Sequence, residues 1–426
     1  MRFHRWIVLL FALMVVVVAS ATALKVTVGP FESDVKDYPV VLRLANYDFT
    51  FEERAQLGVY MSGKNGKEIP SQLDDNLNGD SVPDELAFLV DVKKGKKLQL
   101  IVKPAKTHKT FETRVHAQMF LKSKKPKEGF IQHTAEGKTN YIKPVTEQTF
   151  EGREDSYNQM HHHGVAFESE LMAYRIYFDK KQTVDVYAKK TPRLELDACK
   201  WYPTDEQLAE GFGDDVLRVN GFIGVGSCKP WNGKKMVHFD KVESRTQRII
   251  ANGPIRTICE METRGWEGKN ITTRYTMYAG HRDVMVEVRC SEQVDNLVTG
   301  VQRIGPANFY TNHKNLVASF GTAFPVNDSV KYGKETVGLG VYVPACAKEL
   351  VQDANNNMVL LEWAPVIRYF FTVVAQKEQN PPAHTDGYFF TFVEQWATQL
   401  EKPGLDPCAY GAYGAYWPLV RVEHVK

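Results

Sequence analysis

The sequence predicts an all-β protein: an N-terminal β-sandwich, a larger β domain after it, and a short C-terminal helix. Two observations carry this. Apolar and polar residues alternate with a period of two along many short segments, and turn signals separate those segments at short, regular intervals. The alternation is clearest at 24–28, 40–44, 97–102 and 183–188, and continues at 255–262, 272–278, 284–289, 338–343 and 358–363. Asn252-Gly253-Pro254 and Glu267-Gly268-Lys269-Asn270 mark turns between strands. Helical signals interrupt twice. Thr204-Asp205-Glu206-Gln207 is a capping box closed by Gly211. Phe389, Phe390, Val393, Trp396, Ala397 and Leu400 recur at helical spacing as a core-facing stripe.

The N-terminus reads as a secretory signal peptide over residues 1–23. Arg2, His4 and Arg5 precede an apolar run from Trp6 to Val18, and Ala21-Thr22-Ala23 forms an A-x-A site. The run is shorter than the ~20 residues a membrane-spanning helix needs. Export to the periplasm or beyond is therefore expected, with no membrane association after cleavage. Lys, Pro, Gly and Thr concentrate between Lys122 and Thr149, which places the domain boundary there: 24–125 for the sandwich, 126–403 for the larger domain. The Tyr-Gly-Ala-rich stretch makes 404–426 a low-complexity tail.

A net charge of +2 gives no footprint for nucleic acid. The Lys-rich stretch from Lys93 to Lys127 reads as a solvated surface, or as a weak attraction for acidic polysaccharide. Six cysteines, Cys199, Cys228, Cys259, Cys290, Cys346 and Cys408, match no zinc or redox spacing. Cys259 and Cys290 fall on the first and third strands of a meander. Two strand spacings, roughly 9–10 Å, exceed the ~7 Å reach of a disulfide. A partial framework with buried thiols is expected.

Three stretches are candidates for a site. Asp74-Asp75-Asn76-Leu77-Asn78-Gly79, ending at Glu85, fits a calcium-loop template, with Asp74, Asn76, Asn78 and Glu85 as oxygen ligands of a structural ion. An Asx-rich hairpin turn without metal explains the same residues, because strands and not helices flank it. The second stretch is His161-His162-His163-Gly164 followed by Glu168, Glu170, Tyr174, Arg175 and Tyr177. On a single strand, Glu168, Glu170 and Tyr174 share one face while Arg175 and Tyr177 take the other. No partner at metal-ligand spacing accompanies the histidines, and a structural hydrogen-bond network also accounts for them. The third stretch offers Trp201, Tyr202, Asp214, Asp215 and Trp231 among glycines, a composition suited to stacking on sugar rings and binding hydroxyls.

These residues resemble a known family. Ile69-Pro70-Ser71-Gln72 with Asp84-Glu85-Leu86, His162-His163-Gly164 through Tyr174-Arg175-Ile176-Tyr177, and Gly213-Asp214-Asp215 with Trp231-Asn232-Gly233 look like domain of unknown function 4861. The likeness runs from about Val26 to about Pro403, and the tail departs from it. The resemblance implies secreted proteins of polysaccharide-utilisation systems, some resembling uronide oligosaccharide dehydratases. It also implies a mutarotase-like β-supersandwich for the larger domain.

Removing water across C4–C5 of a terminal uronate needs a base, a stabiliser for the developing enolate and an acid for the leaving oxygen, and no cofactor. His162 or His163 suits the base, Tyr174 the acid and Arg175 a clamp on the substrate carboxylate. Strand alternation sets Tyr174 and Arg175 on opposite faces, so one of these two roles conflicts with the other. Glu168, Glu170, Trp201, Tyr202, Asp214, Asp215 and Trp231 are the expected substrate contacts, and an acidic oligosaccharide is the expected partner. Two other classes fit the same residues: a glycoside hydrolase using paired carboxylates among Glu168, Glu170, Asp214 and Asp215, and a non-catalytic sugar-binding protein using Trp201, Tyr202 and Trp231.

Overall fold

A computed structural model describes residues 23–425 apart from 64–65, 76–77, 136, 327–328, 331 and 401–418. The signal-peptide reading, most of the tail and the calcium candidate Asn76 fall outside the described residues. Among the described residues no helix is long and apolar enough to cross a membrane.

The chain is all-β, as its alternation requires. Residues Leu24–Val28 and Leu98–Pro104 pair centrally in a five-stranded sheet, which packs on a three-stranded sheet of Val35–Arg43, Glu85–Val92 and Ser71–Asp74. Alternate residues Leu24, Val26 and Val28 meet Val40, Leu42, Leu86 and Phe88 in the sandwich core. Val420–His424, within the expected tail, is an ordered edge strand on Leu24–Val28. Its Val420 and Val422 pack against the same apolar core, which explains why it is held.

The larger domain is a supersandwich. A nine-stranded antiparallel sheet, with Arg256–Trp266, Lys269–Tyr278 and Val284–Cys290 at its centre, packs against a five-stranded and a four-stranded sheet. One continuous apolar core joins the three. Apart from Val420–His424, the strands of the sandwich end at Pro104. Val115–Gln118 already pairs with Gly164–Ser169, and Phe120–Ser123 with Lys138–Pro144. Strand pairing therefore changes partner before residue 115 rather than at 125.

Both helical signals form helices. Thr204 caps Asp205–Ala209 with both capping-box bonds in place, and Phe389, Val393, Trp396 and Ala397 are the buried stripe of Asp386–Leu400. Cys259 and Cys290 are free thiols, as are Cys199 and Cys228. Cys346 is disulfide-bonded.

The calcium candidate has another role. Asp74 and Glu85 stand opposite each other in the sandwich, and both accept from the buried Arg256 of the nine-stranded sheet, at 2.8 and 2.7 Å. Gln72 donates to Asp74 and to the Arg256 carbonyl, and its oxygen accepts from the Ile255 and Arg256 amides. The side-chain oxygen of Asn78 accepts from the Asp80 amide. The carboxylates expected to hold an ion instead hold a guanidinium that docks one domain on the other. A cation there would have to displace a buried positive charge.

Candidate active site

The five-stranded sheet has one apolar and one polar face. Val165, Phe167, Tyr174, Ile176, Val184 and Val186 point into the main core. The register sets Ala166 beside Gln118 and Arg175, Arg175 beside Asp185, and Tyr187 beside Asp215, so the other face is polar. The expected single strand is a hairpin, Gly164–Ser169 and Met172–Tyr177, with Glu170 in its turn. Glu170 accordingly leaves the site: it pairs with Arg114 and accepts from the Gly280 amide.

Arg175 organises the polar face. It is 4% exposed. It donates to Asp185 (2.7 Å), Asp215 (3.1 Å), the Tyr177 hydroxyl (2.9 Å) and the Tyr202 hydroxyl (3.1 Å). Trp201 lies over the guanidinium at 4.5 Å, and its indole N–H donates to Asp215. Burial works against the charge of Arg175, yet Tyr177, Tyr202, Asp185 and Asp215 keep it firmly protonated. With so many protein partners, Arg175 positions its neighbours and has little left with which to clamp a substrate carboxylate. Asp215 is pushed well above the usual carboxylate range, first by burial and then by the charge of Asp185.

Two loops close over this face, and both are strained. His162 and His163 hold φ of 40° and 66°, and Lys200 and Trp201 hold 46° and 77°. Two consecutive left-handed non-glycine residues in each loop cost energy that the surroundings must offset, and such strain concentrates at functional sites. The loops meet where a His161 ring nitrogen donates to the Lys200 carbonyl at 3.2 Å. Gly164, at φ 156°, admits the turn because a Cβ there would collide with the Ile176 carbonyl.

The three imidazoles differ. His163 stacks on Tyr157, ring centres 3.7 Å apart, and its Nδ1 lies 3.0 Å from the Tyr157 carbonyl. A carbonyl only accepts, so Nδ1 carries the proton and Nε2 keeps its lone pair. His162 is 1% exposed. Its Nε2 faces the Gln118 amide nitrogen, a donor, which leaves the proton on Nδ1, a buried atom without a partner. Burial, followed by the charge of Arg175, pushes His163 down to about 3. Burial, followed by His133, does the same to His161. His162 lies well below the usual range, again through burial first. All three rings are neutral at pH 7.

The structure thus brings together His162, His163, Arg175, Trp201, Tyr202 and Asp215. Besides Glu170, four expected members lie elsewhere. Tyr174 is on the apolar face, donating to the Arg282 carbonyl at 2.6 Å, and cannot serve as the acid. Glu168, fully buried, accepts from Lys189 and from the Glu195 and Leu196 amides, so it fixes the covering loop. Trp231 packs in a small apolar cluster by the four-stranded sheet. Asp214 turns its side chain to the Asp215 amide. Sequence reasoning missed Asp185, Tyr157 and Gln118. Period-two counting from Arg175's partner strand would have found Asp185; nothing local marks Tyr157 or Gln118.

A hollow of about 230 Å³ adjoins Tyr157, lined also by Asp155, Asp179 and Arg245. A larger one, about 320 Å³, lies away from these histidines. It sits between the sandwich, the outer face of the nine-stranded sheet and the C-terminal helix.

A supersandwich carrying a strained, histidine-capped polar sheet face is the class of protein defined here. The chain belongs to the family described as Domain of unknown function (DUF4861), matched over residues 30–404. No curated protein matches it. Among solved structures it is similar to a glycosyl hydrolase family 38 protein from Enterococcus faecalis, at 12% identity over 95% of this chain and 47% of that one, TM-score 0.42. It is also similar to an alpha-mannosidase from Enterococcus faecalis V583, at 11% identity over 95% and 46%, TM-score 0.38. The chain spans about half the length of either.

Proposed function

We propose that this protein processes acidic oligosaccharides after export, eliminating water from a non-reducing terminal uronic acid to leave a 4,5-unsaturated residue. The observation that carries the reading is His163: its Nδ1–H is fixed on the Tyr157 carbonyl, so Nε2 is a defined proton acceptor beside the Arg175 cluster. His163 Nε2 takes the C5 proton, and the electron pair forms the C4–C5 double bond as the C4–oxygen bond breaks. The departing hydroxyl takes a proton from Tyr202 and leaves as water. Tyr202 replaces Tyr174 as the acid because its hydroxyl accepts from Arg175 Nη1, which stabilises the phenolate it becomes. The unpartnered Nδ1–H of His162 is a donor for the substrate carboxylate as enolate charge develops. A His163 ring at about pKa 3 is a weak base in the free protein. An anionic substrate beside it raises that value towards the working pH.

One observation favours a second reading. Asp185 and Asp215 accept from the same Arg175 nitrogen, and Asp215 has its pKa raised well above the usual range, first by burial and then by the charge of Asp185. A carboxyl group held protonated beside a second carboxyl group suits the acid of a glycoside hydrolase. His163→Ala and Asp215→Asn, assayed side by side on uronate-terminated oligosaccharides, separate the two. Elimination requires His163 and survives Asp215→Asn in part; loss confined to Asp215→Asn selects hydrolysis.

A further inference from the structure

The histidine turn is roofed by a small three-stranded sheet, Phe120–Ser123, Lys138–Pro144 and Ile131–Ala135, that the proposed chemistry leaves unused. Its register sets Lys122 opposite Ile142, Asn140 opposite His133, and Lys138 at the end of the same face. That face meets the site: the Phe120 ring lies 6.2 and 6.0 Å from His161 and His162, and the His133 ring 4.8 Å from His161.

The face is positive, and among the described residues neither Lys122 nor Lys138 forms an ion pair. Lys122 is half-buried and forms no ion pair among the described residues, and Lys124 and Lys138 add like charge. His133 Nε2 is buried without a partner. Lys200, from the facing loop, lies over Phe120 and pairs loosely with Asp197 at 3.7 Å. Asp155 is a carboxylate whose charge Lys122 feels. A half-buried cation without an ion pair, next to an unsatisfied ring nitrogen, costs stability unless a ligand supplies the missing acceptors.

We propose that Lys122, His133 and Lys138 form a subsite for a second anionic group, the carboxylate or sulfate ester of the sugar residue following the terminal one. The proposal rests on the acidic-oligosaccharide reading, which it deepens by requiring that the substrate carry charge beyond its reacting end. The face selects oligosaccharides over single uronic acids, and binding weakens with salt as the charges are screened.

The experiment is calorimetric titration of the full chain with di- and tetrasaccharides of three kinds: uronate-only, sulfated uronate-containing, and carboxyl-reduced neutral. Wild-type protein and the surface double variant Lys122→Gln/Lys138→Gln are compared, with melting temperature checking the fold. The acidic tetrasaccharide binds wild type about tenfold tighter than the double variant, while the neutral one does not distinguish them. Stronger discrimination with the sulfated tetrasaccharide assigns the subsite to sulfate; equal discrimination with the uronate-only one assigns it to carboxylate. Equal affinity of both proteins for every acidic tetrasaccharide, or no binding at all, overturns the subsite. Charge-dependent binding without any unsaturated product keeps the subsite and rejects elimination. Turnover of acidic tetrasaccharides that the double variant leaves unchanged rejects the subsite and keeps elimination.

Discussion

His163 is the residue on which the proposed chemistry turns, and its neutral, tautomer-fixed ring makes three expectations concrete. His163→Ala keeps the fold, checked by circular dichroism, and loses about 10²–10⁴-fold in turnover, the usual contribution of a general base. Because burial holds the ring at about 3 in the free protein, kcat/KM shows no inflection near pH 6.5. A profile falling through 6.5 contradicts a buried base. Tyr202→Phe lowers kcat, whereas Tyr174→Phe costs about 1 kcal/mol for its lost hydrogen bond and leaves turnover unchanged, since its hydroxyl serves the Arg282 carbonyl. The same burial makes stability depend on pH. The unfolded chain protonates His161, His162 and His163 from about pH 6.5 downward, while the folded protein holds His161 and His163 down to about 3 and His162 well below its usual range, each through burial first. Their contribution is complete above pH 6.5 and is lost progressively in acid. His281, whose two nitrogens meet Asp283 and the Asp37 carbonyl, is shifted upward and works in the opposite sense. Thermal melts from pH 7.5 to 4 report the balance: Tm falls with acid, and less steeply in His162→Gln.

Strands and loops show how far sequence alone reaches. Period-two alternation found the strands because burying one sheet face leaves a mark on every second residue. It also found the conflict between Tyr174 and Arg175, which the structure resolves in favour of Arg175 at the polar face. It missed the hairpin turn at Glu170, where no glycine, proline or asparagine punctuates the chain. Ligand spacing misled at Asp74 and Glu85, because the distant Arg256 that neutralises them lies in the other domain and leaves no local trace. Arg256→Met removes the buried guanidinium that Asp74 and Glu85 share and lowers stability by about 3–5 kcal/mol. Excess chelator leaves the melting temperature of wild type unchanged. A chelator-sensitive melt would restore the calcium loop.

At the scale of the whole molecule, the sandwich is a docked platform rather than an appendage. Arg256 ties Asp74 and Glu85 to the nine-stranded sheet. Arg114 bridges Asp37 of the sandwich to the Glu170 turn at 2.7 and 2.5 Å. That turn joins the two strands that carry Glu168 and Arg175, so the docking interface and the site share one hairpin. Arg114→Ala should therefore lower both stability and turnover, while a surface change remote from the hairpin lowers neither. The supersandwich supplies a rigid polar sheet face, the His161–His163 and Lys200–Trp201 turns cap it, and the lysine face beside it gives the substrate its sign. The proposed reaction is elimination at an acidic sugar. The most direct test is to incubate the purified protein with uronate-terminated oligosaccharides and record product mass together with the absorbance of the enoyl-uronate band. The predicted product is lighter than the substrate by one water, absorbs in that band, and is absent with His163→Ala or with carboxyl-reduced sugars. Shorter chains that have gained water, without that absorbance, would contradict the account.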